Sequence, residues 1–188
     1  PSELQAVLVS HLHPDHFVDL VPLRHYLRWH LHPARRVRVL GPAGLAERLD
    51  GLHAEPGFSA TTLDIEPLGE GVRTIGPFSV HASLVAHTNE SYGFRVAIGD
   101  GPGLVYSGDC GRADDVAPLI RHGDTLLSEV AFGAGPVPVG DLHLDQKSNA
   151  TENLDDDDRD PEIHRRPAPA RTSVVKKGRD PDEEWQEN

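Results

Sequence analysis

Four side chains able to ligate a metal ion fall within six residues, in the run His11-Leu12-His13-Pro14-Asp15-His16. His11 and His13 lie two apart. In extended backbone, alternate side chains point the same way, so both reach one ion. Asp15 and His16 are turned by the residues that follow and face a second point. Neutral imidazole and carboxylate suit zinc and its first-row neighbours. Two later strand ends offer the same chemistry. His87 closes an alternating run at residues 78–87, and Asp109 follows Ser107 and Gly108 after an apolar strand. Glycine there permits close backbone approach to a ligand, and the two oxygens of a carboxylate can bridge two cations.

The remaining histidines and the cysteine read differently. His81 shares a strand face with His87, but six residues at ~3.3 Å each place it about 20 Å away. It is read as structural or exposed. His25, His30 and His32 are read as solvated or pocket-wall residues. Cys110 is read as a small buried hydrophobe beside the metal candidates.

The elements that position these residues follow from hydrophobic spacing. The apolar run at residues 4–10 predicts a buried strand that ends at the histidine loop. Phe17, Val18, Leu20, Val21, Leu23 and Leu27 recur at near-helical spacing. They predict a helix over residues 15–29, with Pro22 a point where it kinks. A strand at 36–40 is broken by Gly41-Pro42, and a short helix follows at 43–52. Strands are predicted at 63–67, 72–75, 78–87 and 92–98. A glycine-rich turn at 99–103 returns the chain as a strand at 104–107, so this pair is a hairpin. A helix at 114–121 and a strand at 125–131 complete the order. The alternation implies layered α and β structure with a mixed sheet.

Composition divides the 188 residues in two. Residues 1–145 hold ten arginines, no lysine and 18 acidic residues, while residues 146–188 hold all three lysines and 12 acidic residues. The second part has only eight hydrophobic residues and a run of four aspartates at 155–158. Too little apolar surface is available there to offset ordering entropy, so it is read as a disordered acidic tail. The domain is assigned to residues 1–145. The single cysteine rules out an internal disulfide. No stretch approaches the ~20 apolar residues of a membrane span. A net charge of −12 argues against a broad electrostatic grip on nucleic acid, though a local basic strip remains compatible with it. No signal peptide is visible, and a cytoplasmic location is expected. The chain opens without Met and enters a strand almost at once, so it reads as one whose start is missing.

The run at 11–16, His87 and Asp109 resemble the metal motifs of the metallo-β-lactamase fold superfamily. The resemblance covers about residues 4–145 and implies an αββα sandwich, here incomplete, with a dinuclear zinc-type site at one edge. Mn²⁺ or another first-row divalent ion is an alternative to zinc. By that resemblance His11, His13 and His87 form the first metal site, Asp15 and His16 belong to the second, and Asp109 bridges them. Three stretches are similar to the ribonuclease Z and cyclic phosphodiesterase branch: His87-Thr88-Asn89-Glu90-Ser91-Tyr92-Gly93-Phe94-Arg95, Val105-Tyr106-Ser107-Gly108-Asp109, and Ser128-Glu129-Val130-Ala131-Phe132 followed by His143-Leu144. This implies a phosphodiesterase in which a metal-bound hydroxide attacks phosphorus. Asp15 belongs to the catalytic set, and Glu129 and His143 orient and donate the proton to the leaving oxygen. The implied partner is a small phosphodiester or RNA-type substrate, with a homodimer as one compatible assembly.

Several features depart from that pattern. Ser128 stands where ribonuclease Z has histidine, and neither a long basic arm nor the N-terminal strand pair is visible. The branch's last metal histidine has only His164 near its spacing, in polar surroundings that read as coincidental. The resemblance therefore implies a weakly occupied second site and low turnover. Two rival readings stay open: a lactone or thioester hydrolase of the same fold, and a non-catalytic remnant acting as an interaction module.

Overall fold

The computed structural model describes residues 3–53, 55–131 and 143. The tail at 146–188 and His164 lie outside the described residues. The first apolar run forms β1 (Ala6–Leu8), and the histidine loop leaves its end. Two helices follow, α1 (Pro14–Phe17) and α2 (Leu20–Trp29). The single helix expected over 15–29 is thus two. The interruption falls at Val18 and Asp19, not at Pro22. Pro22 sits in the first turn of α2, where a backbone N–H has no intrahelical partner to lose. Next come β2 (Val37–Gly41), α3 (Leu45–His53), a 3₁₀ turn (Ser59–Thr61) and β3 (Leu63–Pro67). These three strands form an all-parallel sheet in the order β1-β2-β3.

The second sheet is built from β4 (Gly71–Ile75), β5 (Phe78–Leu84), β6 (Tyr92–Ile98), β7 (Gly103–Tyr106) and β8 (Thr125–Leu127), in that order. Neighbours are antiparallel except for the β7–β8 pair. The β6–β7 pair is the expected hairpin. Between β7 and β8 lie α4 (Ala113–Val116) and a 3₁₀ turn (Ala117–Leu119). The helix expected over 114–121 is shorter because Pro118 lies in that turn. The ends of β5 and β8, both earlier than their patterns suggest, bear on the site. β5 stops at Leu84, so His87 belongs to the loop beyond it. β8 stops at Leu127, so Glu129 leaves the sheet.

Side-chain alternation assigns each face. Val37 and Val39 on β2, with Val9 and Leu63, pack against Phe17, Leu20, Leu27, Leu45 and Leu49 of the helices. Leu40, on the opposite face, packs between the sheets with Val80, Ala82, Tyr92 and Phe94. Val105 faces outward and packs with Cys110, Val116 and Leu119 beside α4. The result is a four-layer αββα sandwich. A backbone hydrogen bond joins the sheets where the ligand-bearing loops emerge: Tyr92 N donates to Ser10 O. Gly108 lies at φ +63°, and a Cβ there would stand 3.0 Å from Tyr92 O and 3.1 Å from Ser10 Cβ. Only glycine allows the chain to pass this junction and present the next residue, Asp109.

Candidate metal centre

Three imidazoles from two distant segments meet at the sheet edge. His11 Nε2 and His87 Nε2 each lie 3.0 Å from His13 Nδ1. Asp109 Oδ2 lies 3.8 Å from both Nε2 atoms. These four ligand atoms all fall within 4.8 Å of one another. Tetrahedral zinc with Zn–N of about 2.0–2.1 Å separates its ligand nitrogens by roughly 3.3 Å. The donor set therefore fits one such ion. His11 is fully buried and His87 nearly so, while His13 is exposed, so the cluster opens to solvent on the His13 side.

Electrostatics keep His11 and Asp109 in metal-competent states. Burial pushes the His11 imidazole down to about 4; His16 acts in the same direction and Asp109 opposes. His11 is therefore neutral near pH 7, and its 3.8 Å approach to Asp109 is not an ion pair there. Ser10 Oγ lies 3.1 Å from His11 Nδ1. With Nδ1–H donating to that hydroxyl, Nε2 keeps its lone pair for a metal. Burial pushes the Asp109 carboxyl up, but the adjacent His16 imidazole and the His11 and His87 rings outweigh it and hold it at about 2.

A second group adjoins the first. His16 Nε2 is buried without a hydrogen-bond partner. It sits 3.2 Å from Asp109 Oδ1 and 3.4 Å from Asp15 Oδ2. A buried ring nitrogen between two carboxylates is the arrangement a cation would complete. Asp109 thus presents Oδ2 to the three histidines and Oδ1 to His16. A third group lies against it. His143 Nδ1 is 2.9 Å from Glu129 Oε1 and 3.9 Å from Asp109 Oδ2. Glu129 Oε1 also accepts a hydrogen bond from Cys110 N. Among the remaining histidines, His30 and His32 are exposed, and His81 is half-buried on β5, opposite Arg95. Cys110 is fully buried, and burial raises its thiol to about 11, so it remains a neutral thiol.

Two supporting hydroxyls escape a reading based on ligand types alone. One is Ser10. The other is Ser107, whose Oγ donates to Gly108 O and accepts from Glu129 N. Their only sequence signal is position, one residue before a candidate ligand or its glycine. Ser10→Ala is expected to weaken metal binding by about 10–100-fold without unfolding the chain. Competition with a chromogenic chelator measures this. Unchanged affinity would show that packing alone orients the His11 ring.

Residues 1–157 match the family model described as a beta-lactamase superfamily domain. An uncharacterised protein of Mycobacterium tuberculosis, Rv1339, is 35% identical over 149 residues, covering 73% of this chain and 53% of the relative. The chain thus spans about half the length of that relative. A Thermus thermophilus protein named Ribonuclease TTHA0252 is 34% identical over 148 residues, covering 72% of this chain and 34% of the relative. Among solved structures, the metallo-beta-lactamase fold protein YhfI from Bacillus subtilis superposes with a TM-score of 0.63 at 23% identity, covering 77% of this chain and 57% of that one. Among the described residues, no helix is long and apolar enough to cross a membrane.

Proposed function

The chain belongs to the β-lactamase superfamily, and from that premise we propose that it is a metal-dependent hydrolase acting on phosphodiesters. The observation that carries the reading is the convergence of His11, His13, His87 and Asp109 on one ion-sized point, with His16 and Asp15 on the other side of Asp109. His11, His13, His87 and Asp109 would hold the first divalent cation, zinc or a first-row neighbour. Asp15, His16 and Asp109 would hold the second. When bound, such cations supply Lewis acidity at a phosphoryl oxygen and lower the pKa of an attacking water.

The chain's own residues do the rest. Asp109, anionic across the working pH range, sets the spacing between the two cation positions. Asp15, at the solvent side of His16, would help hold the second cation and would accept a hydrogen bond from water reaching that position. Glu129 accepts from Cys110 N and pairs with His143 Nδ1, so its carboxylate fixes the ring of His143. His143 is then the group that holds a proton at the cluster's margin and delivers it to the leaving oxygen. A phosphodiester substrate is favoured by this separate proton donor beside a paired-cation site and by the ribonuclease name of a 34% identical relative.

The deciding comparison uses protein loaded with Zn²⁺ or Mn²⁺. Turnover of a bis-aryl phosphate is expected to exceed that of an acyl-homoserine lactone, and chelator is expected to abolish it. Faster lactone opening, or phosphodiester hydrolysis that survives chelation, would overturn the assignment.

A further inference from the structure

Within the described part of this acidic chain, one basic stretch is free of acidic residues. Residues 20–46 contain five arginines and no aspartate or glutamate. They form α2, the loop after it, and β2. The buried face of α2 is Leu20, Arg24 and Leu27. Arg24 donates to Phe58 O and Thr61 Oγ1 and stacks over the Phe58 ring, with no carboxylate among those partners. Arg36 and Arg38 are taken by Asp64 and Glu66 on β3. Arg35 Nη2 donates to Leu4 O, a neutral partner. The positive potential left over is that of Arg24, Arg28 and Arg35.

At the end of α2 this potential meets exposed flat rings. Trp29 is 60% exposed, although α2 buries its opposite face and does not need an indole there. The Arg28 guanidinium stacks 5.1 Å over that indole. One turn of helix apart, the Tyr26 and His30 rings stack at 5.5 Å with an interplanar angle of 10°. Cations interleaved with aromatic faces are what a single-stranded nucleic acid uses: phosphates take the guanidinium groups and bases stack on the rings. The chain's overall charge does not cancel this locally, because a field is screened within about 8–10 Å at physiological salt.

We infer that the C-terminal end of α2, with Arg28, Trp29, His30 and Arg35, is a binding surface for single-stranded nucleic acid. It stands apart from the metal centre. α2 has ten residues, so Trp29 is about 15 Å along the helix from the end that adjoins Asp15 and His16.

The test is fluorescence anisotropy of a labelled oligothymidylate of about twelve nucleotides with the full chain. Binding is expected, weakening steeply between about 50 and 200 mM salt. Trp29→Ala and Arg28→Glu are each expected to weaken it by about tenfold, while Trp29→Phe, which keeps a ring, stays close to the parent. A duplex of the same length is expected to bind more weakly, since its bases are not free to stack. Hydrolysis of a bis-aryl phosphate is expected to be equal in the parent and in Trp29→Ala. No binding, binding indifferent to both Trp29→Ala and Arg28→Glu, or a duplex bound as tightly as the single strand would overturn the inference. Failure of the parent to hydrolyse the aryl phosphate would sink the phosphodiesterase reading alone.

Discussion

Asp109→Asn is expected to reduce phosphodiester turnover by roughly 10³-fold, because this one carboxylate faces both of the proposed cation positions. Its Oδ2 stands 3.8 Å from His11 and His87, and its Oδ1 3.2 Å from His16. An amide keeps the shape but loses the charge and one acceptor oxygen. Metal content per chain, by mass spectrometry after chelator-free purification, is expected to fall along with turnover. Loss of turnover at full metal content would move Asp109 from metal ligand to a direct role at the substrate. Retention of both would remove it from the site. His13→Ala provides the control for the first position alone. Its Nδ1 lies against both of the other imidazoles, whereas the second group is His16 with Asp15 and Asp109, so that variant is expected to keep whatever metal the second position binds.

The second large effect concerns stability. Asp124→Ala is expected to cost about 3–5 kcal/mol, because it leaves a buried guanidinium unpaired. Arg95 donates through Nε and Nη2 to the two oxygens of Asp124, at 2.7 and 2.9 Å. The same carboxylate accepts from Gly103 N and Arg121 N, and Asp124 is fully buried at the side chain. The pair thus ties β6 to the turns that begin β7 and β8. For a chain of this size the loss corresponds to a Tm lower by roughly 10 °C. Its pH dependence has a definite sign. Burial pushes the Asp124 carboxyl up, but the Arg95 guanidinium and the two amides outweigh it and hold it at about 2, below its ordinary 3.8. A depressed carboxyl stabilises the fold above its unfolded value and loses that contribution as pH falls towards the folded one. The Tm gap between the parent and Asp124→Asn is therefore expected to shrink between about pH 5 and pH 2. A constant gap across that range would show that the pair's charge is not what stabilises the junction.

The two halves of the candidate site differ in how they are encoded. His11, His13, Asp15 and His16 lie within six residues, and local geometry alone directs them: an extended loop for the first pair and the start of α1 for the second. Strand positions were legible for the same reason, since alternation of buried and exposed side chains is a two-residue signal. Leu63–Pro67 and Tyr92–Ile98 agree with their patterns to the residue. Helix continuity was less so. The apolar spacing runs unbroken through Val18 and Asp19, and only packing against the sheet shows that α1 and α2 are separate.

What adjacency determined in this chain is therefore the ligand-rich loop, the β6–β7 hairpin and the layered class of fold. What tertiary structure decided is everything that depends on closing long loops. His87 reaches His13 across 74 residues because Tyr92 N bonds to Ser10 O and seats one sheet edge on the other. Asp109 reaches the same point because Gly108 can hold a positive φ against Ser10 and Tyr92. Glu129 turns in because β8 ends at Leu127 and Ser107 Oγ accepts from the Glu129 backbone amide. Short-range periodicity specifies which face of an element is apolar. Which faces meet, and therefore which distant side chains share an ion, depends on packing between elements that no local pattern contains.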